Sequence, residues 1–312
     1  MRDLRGSGAR RSRSILFMEL YRKSVNIDLC GMVLRFEAEE PLLVTEDVRH
    51  FMTNEKADRV IQVRIGQRAV PKKHLGSGMI TDYGERDGLC VLSAQMPWDQ
   101  YTTFVTEYTP DLSQITVWLD TEDYTPCTLL RTDKLLQYIP LRDLMLEHGM
   151  LLLHSSRVEM DGRALVFTAP SGGGKTTQAR LWEKHMQARI VSNDRSIIRR
   201  AASEILTGGY PADGSTPVCD PEQIPVGAIV ILAQGKENRV VRPQPAAAVS
   251  HLMSQTAADG WNGAQQAELM LLWADILERC PVYLLTCRPN EGAVRCLHSE
   301  LKKEGEIFGH DS

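Results

Sequence analysis

A glycine-rich run that ends in lysine and threonine carries the clearest chemical signal in this sequence. Residues 167–182 read FTAPSGGGKTTQARLW, which follows the phosphate-binding pattern G-x-x-x-x-G-K-[ST] except that Ala169 occupies the first glycine position. Pro170 biases residue 169 towards an extended conformation that alanine tolerates, and the glycines next to the lysine are retained. The sequence therefore still predicts a nucleotide site.

Each residue type in the loop has its own part in binding phosphate. Glycines let backbone N–H groups approach phosphate oxygens, and the start of the following helix adds a partial positive charge. We expect Lys175 to reach the terminal phosphates and the Thr176 hydroxyl to bind Mg²⁺. The predicted nucleotide-binding residues are Ser171, Gly172, Gly173, Gly174, Lys175, Thr176 and Thr177. A glycine-rich turn without a ligand is the structural alternative.

The segment before the loop predicts the kind of sheet that surrounds it. Residues 150–168 read as two strands joined at Asp161-Gly162, and Asp-Gly between two strands is a strong hairpin signal. The strand that enters the loop should therefore pair antiparallel with its predecessor. Most P-loop proteins enter the loop from a parallel sheet with helical crossovers, so the hairpin predicts a mixed sheet.

The stretch HSSRVEMDGRALVFTAPSGGGKTT, followed by VSNDR, resembles the HPr kinase/phosphorylase family. That family shares its fold with ATP-dependent phosphoenolpyruvate (PEP) carboxykinase. His154 precedes Ala169 by the spacing that the family shows between its histidine and its loop. The runs VGAIVIL and PVYLLTCRP look like its divergent branch, which includes serine kinases and kinases of ribosomally made precursor peptides, lasso peptides among them. The resemblance covers about residues 140–300.

The resemblance implies a role for each of four residues. Lys175 neutralises the transferring phosphate, His154 lies near the phosphates, and Asp194 binds Mg²⁺ together with Thr176. The family has an acidic pair after the next strand, and here that pair reads Asn193-Asp194. Asn193 accepts a hydrogen bond but cannot take a proton, so Asp194 carries both duties, or the enzyme is slow, or the base lies elsewhere.

Two of these residues also have purely structural interpretations. Asp194 fits a turn residue at a strand end that pairs with Arg195. His154 follows three leucines in a strand, where a lone histidine is often a satisfied core residue. The family spacing favours a role for His154 beside the phosphates.

The resemblance predicts an Mg·ATP-dependent kinase that acts on a hydroxyl. The acceptor would be a serine of a peptide or protein, or a small molecule such as free serine. A catalytically weak nucleotide-binding regulator or scaffold in a peptide-modification pathway is the alternative, because only one acid is present. Dephosphorylation that uses phosphate or pyrophosphate is a third hypothesis. A carboxykinase is disfavoured because the additional metal-binding lysine and histidine are not found.

Two other segments are candidates for parts of the site. Residues 208–217 are rich in Gly, Pro, Ser and Thr, which suits a lid or substrate loop as well as an ordinary surface loop. Lys236, Arg239 and Arg242 would meet phosphate or substrate, or be solvated charges at a strand end. We favour solvated charges.

The patterning differs between the two halves of the chain. Residues 18–128 are predicted to form a smaller β-rich α+β domain, with alternating strands such as 61–65 and 115–119 and one short helix at 46–52. Strands and helices alternate over residues 129–306, which predicts an α/β fold. The predicted fold class is therefore a PEP carboxykinase/HPr kinase-like P-loop domain with a mixed sheet, preceded by the β-rich domain.

Individual elements of the second half are also predictable. Residues 226–233 read as a buried strand, residues 267–278 as a largely buried helix and residues 280–287 as another strand. Val294, Leu297 and Leu301 recur at helical spacing and predict a final helix.

Charge and composition narrow the classes of partner and compartment. The net charge of −4 provides no global field for nucleic acid or an acidic membrane surface, and no apolar run approaches the roughly 20 residues of a membrane helix. Seven scattered cysteines without a C-x-x-C predict free thiols and a cytoplasmic location. Residues 1–17, which are rich in arginine, are predicted to be a disordered tail. A homo-oligomer is a further expectation, since HPr kinases assemble into rings.

Overall fold

A computed structural model of the chain contains two eight-stranded sheets and seven helices within the part that it describes. The described residues are 20–70, 73–74, 82–95, 102–120, 130–211, 219–259 and 262–303. The predicted tail at 1–17 lies outside them, as do Cys127 and most of the 208–217 segment.

The first sheet is built from residues that alternate between a buried and an exposed face. Its strands are β1 (Leu20–Leu29), β2 (Met32–Val44), β3 (Arg59–Ile65), β4 (Lys73–His74), β5 (Asp82–Arg86), β6 (Leu89–Gln95), β7 (Thr102–Tyr108) and β8 (Ile115–Leu119). The strand order is β1-β2-β3-β8-β7-β6-β5-β4. The pairs β2–β3 and β3–β8 are parallel, and the others are antiparallel. The strands predicted at 61–65 and 115–119 are confirmed.

Three short helices accompany this sheet. They are α1 (Glu46–Arg49), α2 (Thr132–Tyr138) and α3 (Leu141–Glu147). The first is shorter than the predicted 46–52 helix. Leu135 and Leu144, from α2 and α3, lie in the same apolar core as Phe36 and Phe104 of the first sheet. The predicted domain boundary at 128/129 falls among residues 121–129, which are outside the described part, so that division stays a prediction.

The second sheet carries the glycine-rich loop. Its strands are β9 (Met150–Met160), β10 (Arg163–Thr168), β11 (Arg189–Ser192), β12 (Arg195–Arg200), β13 (Ile205–Gly209), β14 (Ile224–Gln234), β15 (Arg239–Val241) and β16 (Val282–Cys287). Its helices are α4 (Lys175–Met186), α5 (Pro245–Met253), α6 (Gly263–Arg279) and α7 (Glu291–Lys303). The strands and the final helix that the apolar runs predict are therefore confirmed.

Two long strands close part of this sheet into a ring. β9 pairs antiparallel with β10, β11 and β12, while β14 pairs antiparallel with β13 and parallel with β10 and β16. Because β12 also pairs with β13, the path β9-β12-β13-β14-β10 returns to β9. The strand that enters the loop therefore has one antiparallel and one parallel neighbour, which confirms the predicted mixed sheet.

The hairpin between β9 and β10 has the predicted turn. Asp161 and Gly162 both have positive φ angles, 53° and 71°, as a two-residue type I′ turn requires. The register then pairs Arg163 with Met160 and Thr168 with Ser155. This local geometry brings the end of β10 beside the middle of β9.

Helix α6 is less buried than its apolar sequence predicts. Leu272 and Trp273 are buried, whereas Met270 is 53% and Leu271 is 71% exposed. A helix of period 3.6 turns only one stripe towards the core, so the prediction of a largely buried helix was wrong for these two residues. In α7 the predicted apolar stripe is buried.

Two chain-wide expectations can be compared with the described residues. No helix there is long and apolar enough to cross a membrane. All six described cysteines are free.

Candidate active site

The loop between β10 and α4 is shaped by glycines in the left-handed region. Gly172 has φ 75° and Gly174 has φ 97°, and a Cβ at either position would meet open space. The backbone conformation, not lack of room, therefore explains these glycines. Helix α4, all of it described, has Gly174 as its N-cap residue, without a side-chain cap, and has no acidic residue in its first turn. Its N-terminal partial positive charge is thus left for an anion.

Ala169 and Gly173 account together for the departure from the loop pattern. The Ala169 methyl is buried in the core formed by Phe167 and Trp182. A Cβ added to Gly173 would lie 2.5 Å from the Ala169 Cβ and 2.9 Å from the Pro170 carbonyl oxygen. The loop therefore folds with alanine at its first position because glycine occupies residue 173.

Lys175 turns back into the loop that precedes it. Its side chain is buried, and Nζ donates hydrogen bonds to Ala169 O at 2.8 Å and to Pro170 O at 3.4 Å. Burial lowers the pKa of Lys175, and the charge of Asp194 opposes that shift. Among the described residues no carboxylate lies within ion-pair distance of Nζ. A buried ammonium whose partners among the described residues are two carbonyl oxygens is suited to an anionic ligand.

The structure brings His154 and Asp194 together beside the loop. His154 of β9 pairs with Arg195 of β12, and Ser155 N donates to Asp194 O at 3.0 Å. The His154 Nε2 atom lies 3.6 Å from Asp194 Oδ1, and Arg195 Nε lies 3.7 Å from Asp194 Oδ2. Both side chains are partly exposed, so they are accessible to a ligand. The predicted pairing of Asp194 with Arg195 is present, but it does not remove Asp194 from the cluster.

The electrostatics connect the same residues. The pKa of His154 lies below its ordinary value of 6.5, first because of burial and then because of the positive charge of Lys175, while Asp194 acts in the opposite sense. The lowered pKa favours the neutral form of the His154 imidazole. The charges of Lys175 and Asp194 thus both affect the pKa of His154, although the three residues come from the start of helix α4, from strand β9 and from a turn.

Asn193 faces inward beside this cluster. Its backbone oxygen accepts a hydrogen bond from Ser156 Oγ at 3.3 Å. Its side-chain oxygen Oδ1 is buried and has no hydrogen-bond partner among the described residues. A second carboxylate at this position would be desolvated. The unpaired oxygen fits a site whose polar contacts are completed by a bound ligand.

The remaining predicted residues line the loop at different depths. Ser171 and Thr177 are exposed, and Thr176 is partly buried at the start of α4. Within the described ranges no three His, Cys, Asp or Glu side chains gather into a metal site. The Thr176 hydroxyl and the Asp194 carboxylate carry oxygen donors of the kind that Mg²⁺ prefers, and their binding of Mg²⁺ stays a prediction.

Two glutamines were missed by sequence analysis. Gln234, at the end of β14, donates from Nε2 to Gly172 O at 3.2 Å, and its place after the predicted strand at 226–233 was a usable signal. Gln255 lies in residues 254–259, the segment between α5 and α6 that we call the strap. Its backbone oxygen accepts a hydrogen bond from His154 N at 2.9 Å. No local pattern marks Gln255, because its contact depends on long-range pairing.

The weaker candidates stay apart from the cluster. Lys236 and Arg239 are exposed, and the Arg242 guanidinium lies 4.3 Å from the centre of the Tyr283 ring. This arrangement agrees with solvated charge at a strand end. Residues 212–218 lie outside the described part, so a lid at 208–217 stays a hypothesis.

Comparisons with known proteins cover the half of the chain that holds the site. The family model described as SynChlorMet cassette protein ScmC matches residues 119–288, which include the loop, His154 and Asp194. No curated protein matches the chain. The solved structure of the Hpr(Ser) kinase/phosphatase from Coxiella burnetii is 14% identical over 49% of this chain and 99% of its own, with a TM-score of 0.28. So low a score supports no conclusion about fold or activity.

Proposed function

The chain belongs to the family of the SynChlorMet cassette protein ScmC, a description that names no reaction, and from the chemistry of its site we propose that it is an Mg·ATP-dependent kinase. It would transfer the γ-phosphoryl group to a hydroxyl. The acceptor we propose is a serine of a peptide or protein, or a small molecule such as serine.

The observation that carries the proposal is the buried ammonium of Lys175. It sits in a glycine-rich loop at a helix start, with carbonyls as partners and no carboxylate among the described residues. Backbone N–H groups, the helix N-terminus and Lys175 all favour negative charge at one place. Bound Mg·ATP would supply the phosphoryl group and the metal charge that neutralises it.

The residues beside the loop take complementary roles in this proposal. Thr176 and Asp194 would hold Mg²⁺, and Asp194 would accept the proton of the attacking hydroxyl. His154 contacts the phosphate side, where its ring can donate or accept a hydrogen bond. The Asn193 amide can donate or accept a hydrogen bond but cannot act as the base. Phosphoryl transfer depends mainly on positioning and charge neutralisation, so one carboxylate is sufficient for turnover.

The test is phosphotransfer by the purified chain with Mg·ATP and candidate acceptors. ADP release and phosphorylated product are followed by mass spectrometry, with Lys175→Ala as the inactive variant. Lys184→Ala, at an exposed position of the same helix, is the matched control and should behave as wild type. The proposal fails if wild type releases no more ADP than Lys175→Ala with every acceptor.

A catalytically weak nucleotide-binding regulator is the second candidate, and the amide at Asn193 favours it. In that case wild type binds Mg·ATP without turnover. Asn193→Asp distinguishes the two: appearance of turnover would indicate a decayed enzyme. An active wild type that loses activity as Asn193→Asp would indicate that the buried position requires a neutral group.

A further inference from the structure

Where the loop leaves the sheet, the strap replaces β10 as the neighbour that is hydrogen-bonded to β9. β10 pairs with β9 as far as Thr168, and the chain then turns away into the loop. From there His154 N donates to Gln255 O at 2.9 Å, and Ala257 N donates to Leu152 O at 2.8 Å. The strap therefore continues along the same edge of β9 as β10 and runs in the same direction. This position places Gln255 beside both His154 and the start of the loop.

The amide of Gln255 has a defined orientation. Its Nε2 donates to Ser254 O at 3.1 Å and to Ser254 Oγ at 3.0 Å, and the Ser254 hydroxyl in turn donates to His251 O. These contacts occupy the nitrogen and leave the amide oxygen available as an acceptor for the His154 ring, and the interaction between the two side chains acts to raise the pKa of His154. His154 Nε2 lies 3.6 Å from Asp194 Oδ1, so the ring lies between the Gln255 amide and the Asp194 carboxylate.

The strap itself is anchored on both sides of Gln255. Thr256 Oγ1 donates to Leu252 O at 2.8 Å and accepts from Trp273 Nε1 at 2.9 Å. Further along, Asp259 N donates to Gln265 Oε1 at 2.7 Å. A residue supported in this way can hold the rotamer of a neighbour, which is what a reactive side chain requires.

We propose that Gln255 is a positioning residue whose amide oxygen accepts a ring N–H of His154 and keeps the imidazole turned towards Asp194 and the loop. The catalytic consequence rests on the proposed kinase function, whereas the orientation of the ring does not. An outer hydrogen bond to a functional histidine typically changes activity by about 10- to 100-fold.

The kinetic test compares three substitutions of Gln255 with a distant glutamine. Gln255→Leu should lower kcat by about tenfold with the KM for ATP within about twofold, because the reacting geometry is lost and the loop is intact. Gln255→Glu, which keeps an acceptor oxygen but loses the Nε2 donation to Ser254, should retain more of kcat than Gln255→Leu. Gln244→Leu, exposed at the start of α5, should match wild type. Gln255→Asn shortens the side chain by one methylene and so moves the amide away from His154. It is the second variant expected to lose activity, for use if Gln255→Leu does not fold.

A double-mutant cycle with His154→Ala distinguishes an effect of Gln255 on the His154 ring from a structural effect that is independent of His154. If Gln255 acts through His154, Gln255→Leu costs no further activity in the His154→Ala background. A loss of the same factor in both backgrounds, or an unchanged kcat in the single variant, would overturn the proposal.

A second measurement does not depend on phosphotransfer. Long-range ¹H–¹⁵N spectra, assigned with His154→Ala, should show one ring tautomer for His154 in wild type and a mixture in Gln255→Leu. Identical ring signals in the two proteins would refute the positioning role. If the signals differ while wild type phosphorylates no acceptor, the kinase function fails and the positioning role is supported.

Discussion

At the scale of single residues, the loop buries a methyl group at one position and excludes it at another. Ala169 fills core space, whereas a methyl at Gly173 would meet Ala169 and the Pro170 carbonyl. Alanine at position 169, where the loop pattern has glycine, therefore requires that residue 173 remain glycine.

Gly173→Ala should weaken Mg·ADP binding by about tenfold or more, because overpacking of this kind costs about 1–3 kcal/mol. Ala169→Gly should leave that affinity unchanged and cost about 0.8 kcal/mol of stability for the lost buried methyl. Fluorescence titration with a nucleotide analogue measures the first, and urea unfolding measures the second. Equal affinities for Gly173→Ala and wild type would contradict the geometry.

Lys175 should affect binding and stability in opposite directions. Lys175→Met removes a buried ammonium that has no carboxylate partner among the described residues, so the Tm without nucleotide should equal or exceed that of wild type. The Tm increase that Mg·ADP gives wild type should be absent. Thermal melts with and without Mg·ADP measure both, with Lys184→Met as the control. A destabilised variant that still responds to Mg·ADP would disprove the assignment.

At the scale of elements, the β9–β10 hairpin sets where the loop begins. Gly162 has φ 71° and open space around a Cβ, so Gly162→Ala should cost about 1 kcal/mol from backbone strain alone. Gly263→Ala, which also meets open space but lacks a positive φ, should be neutral or slightly stabilising. Urea unfolding compares them, and equal effects would exclude strain as the cause.

The contact between α3 and α6 should make stability depend on pH. Gln265 Nε2 donates to Asp143 Oδ1 at 2.7 Å and to Asp259 Oδ2 at 3.1 Å. Burial raises the pKa of Asp143 above its ordinary 3.8, although the Gln265 bond opposes the shift. The folded state thus keeps this proton to a higher pH than the unfolded chain, and the Asp143 contribution to the free energy of unfolding falls as pH rises above 3.8.

Asp143→Asn should remove the decrease in the free energy of unfolding that Asp143 causes as pH rises above 3.8. The stability of the variant relative to wild type should increase with pH from about 3.8 upwards and then level off, once wild-type Asp143 is ionised in both states. Urea unfolding over a pH series measures this difference, with the exposed Glu183→Gln as the control. A difference that is constant with pH would show that burial of Asp143 has no such effect.

At the scale of the whole molecule, one apolar core joins the two sheets. Met150, Leu152 and Ile197 of the second sheet lie in the cluster that contains the first sheet and α2 and α3. The family model begins at residue 119, so most of the first sheet lies outside the family match while contributing to this shared core.

A fragment of residues 130–303 should therefore not fold alone, since it would expose the apolar residues that the first sheet covers. The full chain should unfold in a single transition. Circular dichroism melts of both measure this. A separate cooperative transition in the fragment would instead support an autonomous domain at the predicted 129–306 boundaries.

The local chemistry of the site was readable from the sequence alone. The Asp161-Gly162 turn, the glycines of the loop and the helix that starts at Lys175 depend on backbone preferences of a few neighbouring residues. The apolar runs predicted strands for the same reason, since period-two burial is a local property.

Only the tertiary structure decided what surrounds that local chemistry. The pairing of β10 with β14, the burial of Asn193 Oδ1 and the approach of Gln255 to His154 join residues far apart in the chain. The apolar helix α6 likewise exposes two residues because only one stripe can face the core. Such contacts depend on which surfaces meet when the sheet closes, and no short stretch of sequence encodes that.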